Sequence, residues 1–179
     1  INNIANKYNL PVIEDGAQSF GAVYNDKKSG SITTIGTTSF FPSKPLGCYG
    51  DGGACFTNDD NLALKIRSIK NHGGVKRFHH EYIGLNGRLD TIQAAILNVK
   101  LDYFKNTIIK RNKCADYYSN NLKHLQDKKL IKLPIVHSNK TSVWAQYSVL
   151  VESKIIRDKI VDYLKENNVN AAIFYPSPL

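Results

Sequence analysis

Nothing in these 179 residues is long and apolar enough to span a bilayer, for which a run of about 18 apolar residues is needed. No succession of charged, apolar and small residues of the secretory type opens the chain. Cysteine is scarce. Cys48, Cys55 and Cys114 are an odd number without paired spacing, which points to reduced thiols and a cytoplasmic protein. In such a protein Asn139-Lys140-Thr141 is a chance match to a glycosylation sequon. The five histidines include His79 and His80, yet no His/Cys set has metal-ligand spacing, so no metal is expected. There are no repeats and no low-complexity tract. Acids are the minority, 15 against 24 Lys and Arg, for a net charge of +9. Residues 1–90 carry ten basic and eight acidic groups, and residues 91–179 carry fourteen and seven. The excess is lysine scattered over helices and loops, without an Arg-rich stripe or interleaved aromatics, which argues against a nucleic-acid partner. A mild basic field of this kind suits an anionic small ligand.

What is present is 42% apolar, enough for a globular core. Ile4, Ala5 and Tyr8 share a face of a helix ending near Asn9. Residues 10–14 are uniformly apolar up to the acid, which predicts a parallel, central strand. Asn25-Asp26-Lys27-Lys28-Ser29-Gly30 is hairpin-like. Strands are expected over 37–41 and 54–57. Asn58-Asp59-Asp60 caps a helix over 62–71, which Gly73-Gly74 stops. Residues 75–87, rich in His, Arg and Tyr, read as a crossing loop or an intersubunit arm. A helix over 89–104 places Leu89, Ile92, Ile96 and Val99 on one face and runs on to about Asn121, with a break near Asn106. Composition shifts there. Strands over 130–133 and 143–152, a helix over 155–166 and a strand over 171–175 follow, in the order of a small α+β domain.

The richest stretch is Thr38 to Ala54, T-S-F-F-P-S-K-P-L-G-C-Y-G-D-G-G-A. An apolar run ends in Lys44, held between Pro42 and Pro45, and Gly47, Gly50, Gly52 and Gly53 follow. Prolines fix φ, and glycines permit positive φ or close approach of backbone or ligand. Taken alone this is first a solvated surface loop, since such loops are rich in Lys and Gly. Desolvated, the same lysine loses basicity and becomes a nucleophile. Upstream, Val12 and Ile13 run into Glu14, Asp15 and Gly16, two acids at a strand end facing a ligand crevice. An acid at one strand end and a lysine at a later one frame a single site.

The motifs V-I-E-D-G-A-Q-S-F-G-A, S-F-F-P-S-K-P-L-G, G-D-G-G-A, I-R-S-I-K-N-H-G and I-G-L-N-G-R-L-D-T-I-Q-A-A-I-L, in this order, resemble the sugar aminotransferases of the DegT/StrS type. These are pyridoxal-phosphate (PLP) enzymes of fold type I, in the aspartate aminotransferase superfamily. The resemblance is strong over about half of the chain, from Val12 to Leu101. It implies an α/β fold: residues 1–121 as the C-terminal part of the PLP-binding large domain, with a mainly parallel sheet and a long linking helix, and residues 122–179 as the start of the small α+β C-terminal domain. Family members are longer, so the chain is expected to be an internal portion.

The resemblance also implies roles. Lys44 binds the cofactor covalently and moves the proton. Asp15 pairs with the pyridinium nitrogen, Gln18 packs near the ring and its phenolic oxygen, and Ser39 donates to the phosphate. Asn86 reaches the phosphate of the neighbouring subunit, and Arg88 is placed for a sugar carboxylate. The implied reaction is transamination of a nucleotide-linked keto sugar, UDP-linked or a 3-keto uronic acid. Glutamate is the donor, pyridoxamine phosphate the intermediate form, a homodimer with a shared site the assembly, and a surface polysaccharide such as O-antigen the destination. Relatives that use pyridoxamine phosphate for sugar dehydration carry histidine in place of the lysine, and Lys44 speaks against that branch. The remaining alternative is a non-catalytic, ligand-sensing dimeric relative of the same fold.

Overall fold

The two apolar runs that end in charged residues fold as neighbouring strands. In this computed structural model, which describes residues 1–177, the chain begins with α1 (Asn2–Lys7) and β1 (Ile13–Asp15). A hairpin follows, β2 (Val23–Tyr24) and β3 (Lys27–Lys28), then β4 (Ile35–Ser39), β5 (Gly53–Phe56) and α2 (Asp60–Ile69). The hairpin turn has both central residues at positive φ, Asn25 at 46° and Asp26 at 61°, as a two-residue turn between right-twisted strands requires. A second hairpin, β6 (Gly74–Lys76) and β7 (His79–His80), precedes the long α3 (Thr91–Asp127). Short strands β8 (Ile131–Lys132), β9 (Lys140–Thr141) and β10 (Leu150–Val151) lead to α4 (Lys154–Glu166).

The chain divides into two units. One comprises Ile1–Ala115 and Val136–Gln146, the other Asp116–Ile135 and the chain from Tyr147 onward. The first is built on the sheet β1-β4-β5. β1 runs parallel to β4, with Ile13 opposite Ile35 and Asp15 opposite Thr37, whereas β5 is antiparallel, with Ser39 opposite Gly53. The sheet is therefore mixed, and the parallel pairing is that of β1 with β4. β4 is the central strand. β1, expected to be central, is at the edge among the described residues, and Ile13 is 68% exposed there. Its uniform apolarity signals burial on two sides, and one strand alone pairs with it. A second sheet joins β3, β2 and β9, bringing residues 136–146 back onto the hairpin.

The core of this unit is Phe40, Leu46, Cys48, Leu97 and Phe104, with Phe20, Ala54, Leu89 and Ile108 packed against it. Phe20 stands in its middle, edge-on to Phe40 at 6.1 Å and tilted on Phe104 at 5.6 Å. α2 begins as expected: the Asp59 carboxylate accepts from the amides of Asn61 and Leu62 at 2.8 and 3.0 Å. Gly73, at φ 74°, closes the helix with its amide on the Ser68 carbonyl.

α3 differs from expectation twice. It is continuous, without a break near Asn106. Its buried residues are Leu97, Phe104 and Ala115, while Ile92 and Val99 are 73% and 62% exposed. Apolar side chains line two faces of this helix, and the face against the sheet is the one interrupted by Gln93, Lys100 and Arg111. Those three bond to backbone, as described below.

In the second unit β8 and β10 pair antiparallel, and Ser153 caps α4 through its hydroxyl and the Ile156 amide. Tyr147 stacks on Tyr118 at 5.2 Å and shares a 2.9 Å hydrogen bond with Ser119. The strand expected over 143–152 is confined to Leu150–Val151. Residues 142–144 are instead held to α3: Arg111 donates to the Trp144 carbonyl at 2.8 Å and Asn112 to the Ser142 carbonyl at 3.1 Å. Trp144 takes φ 49°, which no strand allows. Residues 171–175 form no strand either.

Candidate active site

Parallel strands end on the same side, so the C-terminal ends of β1 and β4 share one edge of the sheet. Successive side chains on a strand point to opposite faces, and this separates the two acids of β1. The Glu14 carboxylate accepts from the Ser29 hydroxyl and the Gly30 amide, both at 2.9 Å, and from the Ile32 amide at 3.4 Å. It is fully engaged in shaping the turn before β4. Asp15 is exposed and accepts the Ala17 amide on one oxygen at 3.0 Å, which leaves its other oxygen without a partner among the described residues. Of the two acids, Asp15 is the one able to meet a ligand. The turn after it is tied to β4, because Gly16 donates to the Thr37 carbonyl at 2.8 Å and Thr38 donates to the Gly16 carbonyl at 3.2 Å. Gln18 lies half-buried in that turn.

Ser39 ends β4, half-buried, and its hydroxyl accepts the Phe41 amide at 3.2 Å. Lys44 stands in the middle of the loop that follows. The Cys48 amide donates to the Phe40 carbonyl at 2.8 Å and closes the loop, and the Lys44 amide donates to the Phe41 carbonyl at 2.9 Å. Pro45, Leu46, Gly47 and Cys48 are buried, and the Cys48 thiol lies 3.0 Å from the Phe40 carbonyl and 3.1 Å from that of Gly50. Lys44 itself is half-buried, and its ammonium has no hydrogen-bond or ion-pair partner among the described residues.

The glycines of this stretch serve packing. None of Gly47, Gly50, Gly52 and Gly53 has positive φ. A Cβ at Gly47 would come within 2.5 Å of the Pro42 carbonyl oxygen, and one at Gly52 within 2.8 Å of Leu89. They let the chain fold back on itself, not a left-handed turn form.

Asp15, Gln18, Ser39 and Lys44 therefore lie at one strand-end edge. Asn86 and Arg88 form a separate exposed pair, the Arg88 Nε donating to the Asn86 Oδ1 at 2.9 Å. Their loop is docked on the end of α2, with Leu85 donating to the Ile69 carbonyl and Gly87 to that of Lys70. No hydrogen bond or ion pair of the described residues joins them to Asp15, Ser39 or Lys44. A cavity of about 850 Å³ lies elsewhere, between the β4–β5 face and α2, lined by Thr38, Phe40, Ala54, Phe56 and Ile66 and by none of the predicted site residues. Among the described residues no three His, Cys, Asp or Glu side chains cluster as metal ligands, and no helix is long and apolar enough to cross a membrane.

Two residues of the loop's surroundings were not among the expected site residues. Gln93 Oε1 accepts the Tyr49 amide at 2.8 Å, and the Lys100 ammonium donates to the Gly47 carbonyl while lying 4.7 Å from the Tyr49 ring centre. Helical spacing of polar residues on an apolar face was the one clue to them.

A half-buried lysine thus stands on a closed loop beyond one strand and an open carboxylate at the end of the neighbouring strand, in a fold shared with solved PLP-dependent aminotransferases. The sequence profile described as "DegT/DnrJ/EryC1/StrS aminotransferase family" matches residues 1–179, and the chain belongs to that family. It is 51% identical over 179 residues to UDP-2-acetamido-2-deoxy-3-oxo-D-glucuronate aminotransferase of Pseudomonas aeruginosa, covering 100% of this chain and 48% of that protein. It is 41% identical to a pleiotropic regulatory protein of Geobacillus stearothermophilus, over 98% of this chain and 46% of the relative. The solved structure of NtdA from Bacillus subtilis, with bound cofactor PMP, superposes with a TM-score of 0.86 at 32% identity, over 99% of this chain and 40% of that one. The chain thus spans about half the length of the curated relatives it matches.

Proposed function

We propose that the protein is a PLP-dependent aminotransferase that delivers an amino group to the keto carbon of a nucleotide-linked sugar. The observation that carries this is Lys44: a half-buried amine without a partner among the described residues, on a closed loop beside the strand that ends in Asp15. Family membership supports it. The donor set fits the cofactor, since an unpaired amine, a carboxylate with an open oxygen, a hydroxyl and an amide lie along one strand-end edge. When bound, PLP supplies a carbonyl for covalent capture of amines and a ring that withdraws electrons from the carbon beside them. Lys44 holds it covalently and then moves a proton at Nζ. Asp15 keeps the ring nitrogen protonated. Gln18 lies against the ring, and the Ser39 hydroxyl donates to the phosphate.

Asn86 and Arg88 stand apart from these four, and we assign them to a site shared with a second copy, Asn86 on its phosphate and Arg88 on the sugar. A guanidinium fork pairs with a carboxylate through two hydrogen bonds, which suits a uronic acid. The resemblance to an enzyme of a UDP-linked 3-oxo-glucuronate supports such a substrate. Glutamate as donor, a cytoplasmic homodimer and an amino sugar bound for surface polysaccharide complete the proposal. The similarity to a regulatory protein favours one rival, a ligand-sensing member without turnover.

The test uses the complete gene product. With PLP, borohydride reduction should place the cofactor on the peptide containing Lys44, and glutamate with a UDP-linked 3-keto uronic acid should give turnover that Lys44→Ala abolishes with the fold retained. Label on another lysine would overturn the site. Label on Lys44 without turnover of any nucleotide-linked keto sugar would favour the rival.

A further inference from the structure

We propose that Gln93 and Lys100 are positioning residues for Lys44: they clamp the loop that carries it from the side of α3. The inference rests on the proposed role of Lys44. The two residues are seven apart, two turns, on the same helix face as the buried Leu97 and Phe104. A polar group on a packed face loses water, and it stays there at low cost only when it is hydrogen-bonded. Both are bonded, and both to the backbone of one loop. Gln93 takes the Tyr49 amide at 2.8 Å, and Lys100 reaches the Gly47 carbonyl and covers the Tyr49 ring. A Cβ on Gly50 would lie 3.0 Å from the Gln93 amide nitrogen, so the side chain is seated against the loop. Lys100 makes no ion pair among the described residues. Its charge is met by a carbonyl dipole and a ring face, both belonging to the loop.

The consequence for Lys44 is mechanical. The loop from Phe40 is closed at its base by the Cys48 amide on the Phe40 carbonyl and by the Phe40 amide on the Gly52 carbonyl, and Lys44 lies between those ends. The contacts at Gly47 and Tyr49 fix the returning limb, three and five residues after Lys44. Hydrogen bonds hold position better than apolar packing, because they weaken steeply with angle. Covalent chemistry at an amine is sensitive to such placement: a shift of about 1 Å can cost on the order of 100-fold in rate.

The experiment compares wild type, Gln93→Leu, Lys100→Met and Gln93→Glu in the complete gene product. The first readout is the rate of covalent capture of added PLP by the cofactor-free protein, followed by absorbance and by borohydride trapping on the Lys44 peptide. The second is hydrogen exchange of the amides in residues 41–50 without cofactor. Gln93→Leu and Lys100→Met should each slow capture by about tenfold, within the range that misplacement of a reacting group produces, and should speed exchange of the Cys48 and Tyr49 amides at near-unchanged melting temperature. Gln93→Glu keeps an acceptor for the Tyr49 amide and should stay within about threefold of wild type, since the bond that fixes the limb is retained. Capture within about twofold of wild type in Gln93→Leu and Lys100→Met would overturn the proposal, as would slow capture with unchanged exchange. Should Lys100→Met not fold, Gln93→Leu against Gln93→Glu decides. A wild type that takes no label at Lys44 would overturn the functional proposal instead, and the exchange data would still decide whether the clamp exists.

Discussion

Glu14→Ala removes the acceptor for the Ser29 hydroxyl and the Gly30 amide, while Asp15→Ala removes an exposed acceptor of one local amide. The first should lower stability by about 1–3 kcal/mol, the usual cost of orphaning partly buried donors. The second should lie within about 0.5 kcal/mol, as exposed substitutions do. In activity the order should reverse, with Asp15→Ala losing cofactor binding and turnover and Glu14→Ala retaining both where it folds. Denaturant midpoints and PLP titrations of the two variants check this. Gly47→Ala belongs here too. Its Cβ would meet the Pro42 and Phe41 carbonyl oxygens at 2.5 and 2.6 Å, atoms of backbone that cannot turn aside. It should destabilise by about 1–3 kcal/mol, as overpacking does, and weaken PLP capture at Lys44.

α3 shows how a helix can carry two stripes and use one. Leu97→Ala opens the core beside Phe104 and should cost about 2–5 kcal/mol in thermal or urea unfolding, with Ile92→Ala costing clearly less because Ile92 is 73% exposed. Further along, Asn112 gives the helix its hold on the returning chain: it donates to the Ser142 carbonyl and accepts the Trp144 indole N–H at 3.1 Å. Trp144 is the one tryptophan of the sequence, so tryptophan fluorescence reports on this segment. Asn112→Leu should shift its emission to the red and speed hydrogen exchange over residues 140–146. An unchanged spectrum would mean that Arg111 and β9 hold the segment without Asn112.

For the molecule the dominant electrostatic fact is the net charge of +9 with one ion pair, Arg157–Asp158, among the described residues. Like charges repel within a compact state, and salt screens that repulsion. Added sodium chloride should therefore raise the melting temperature of this chain modestly, because screening relieves more repulsion than attraction. A fall in melting temperature with salt would show that attractive pairs dominate.

The local features of the fold are legible in the sequence by itself. The strand leading into Glu14 and Asp15, a strand through residues 37–39 that ends two residues before the expected 41, the Asn25-Asp26 turn, the Asp59 cap and the loop around Lys44 all arise from residues within a few positions of one another, where steric limits on φ and ψ and short-range hydrogen bonds decide. The family motifs are strings of these same signals. Other features depend on which surfaces meet. Glu14 and Asp15 look alike in sequence, and the turn at Ser29–Ile32 is what takes one of them. The periodicity of α3 favours the stripe of Ile92, Ile96 and Val99, because Gln93, Lys100 and Arg111 hide the apolar character of the face that packs. Residues 143–149 have strand composition and form none, since Arg111 and Asn112 hold their start against α3. Hydrophobic pattern states that a face will be buried. Only packing supplies the backbone donors and acceptors that let a lysine or glutamine stay on a buried face, and so only packing selects the face.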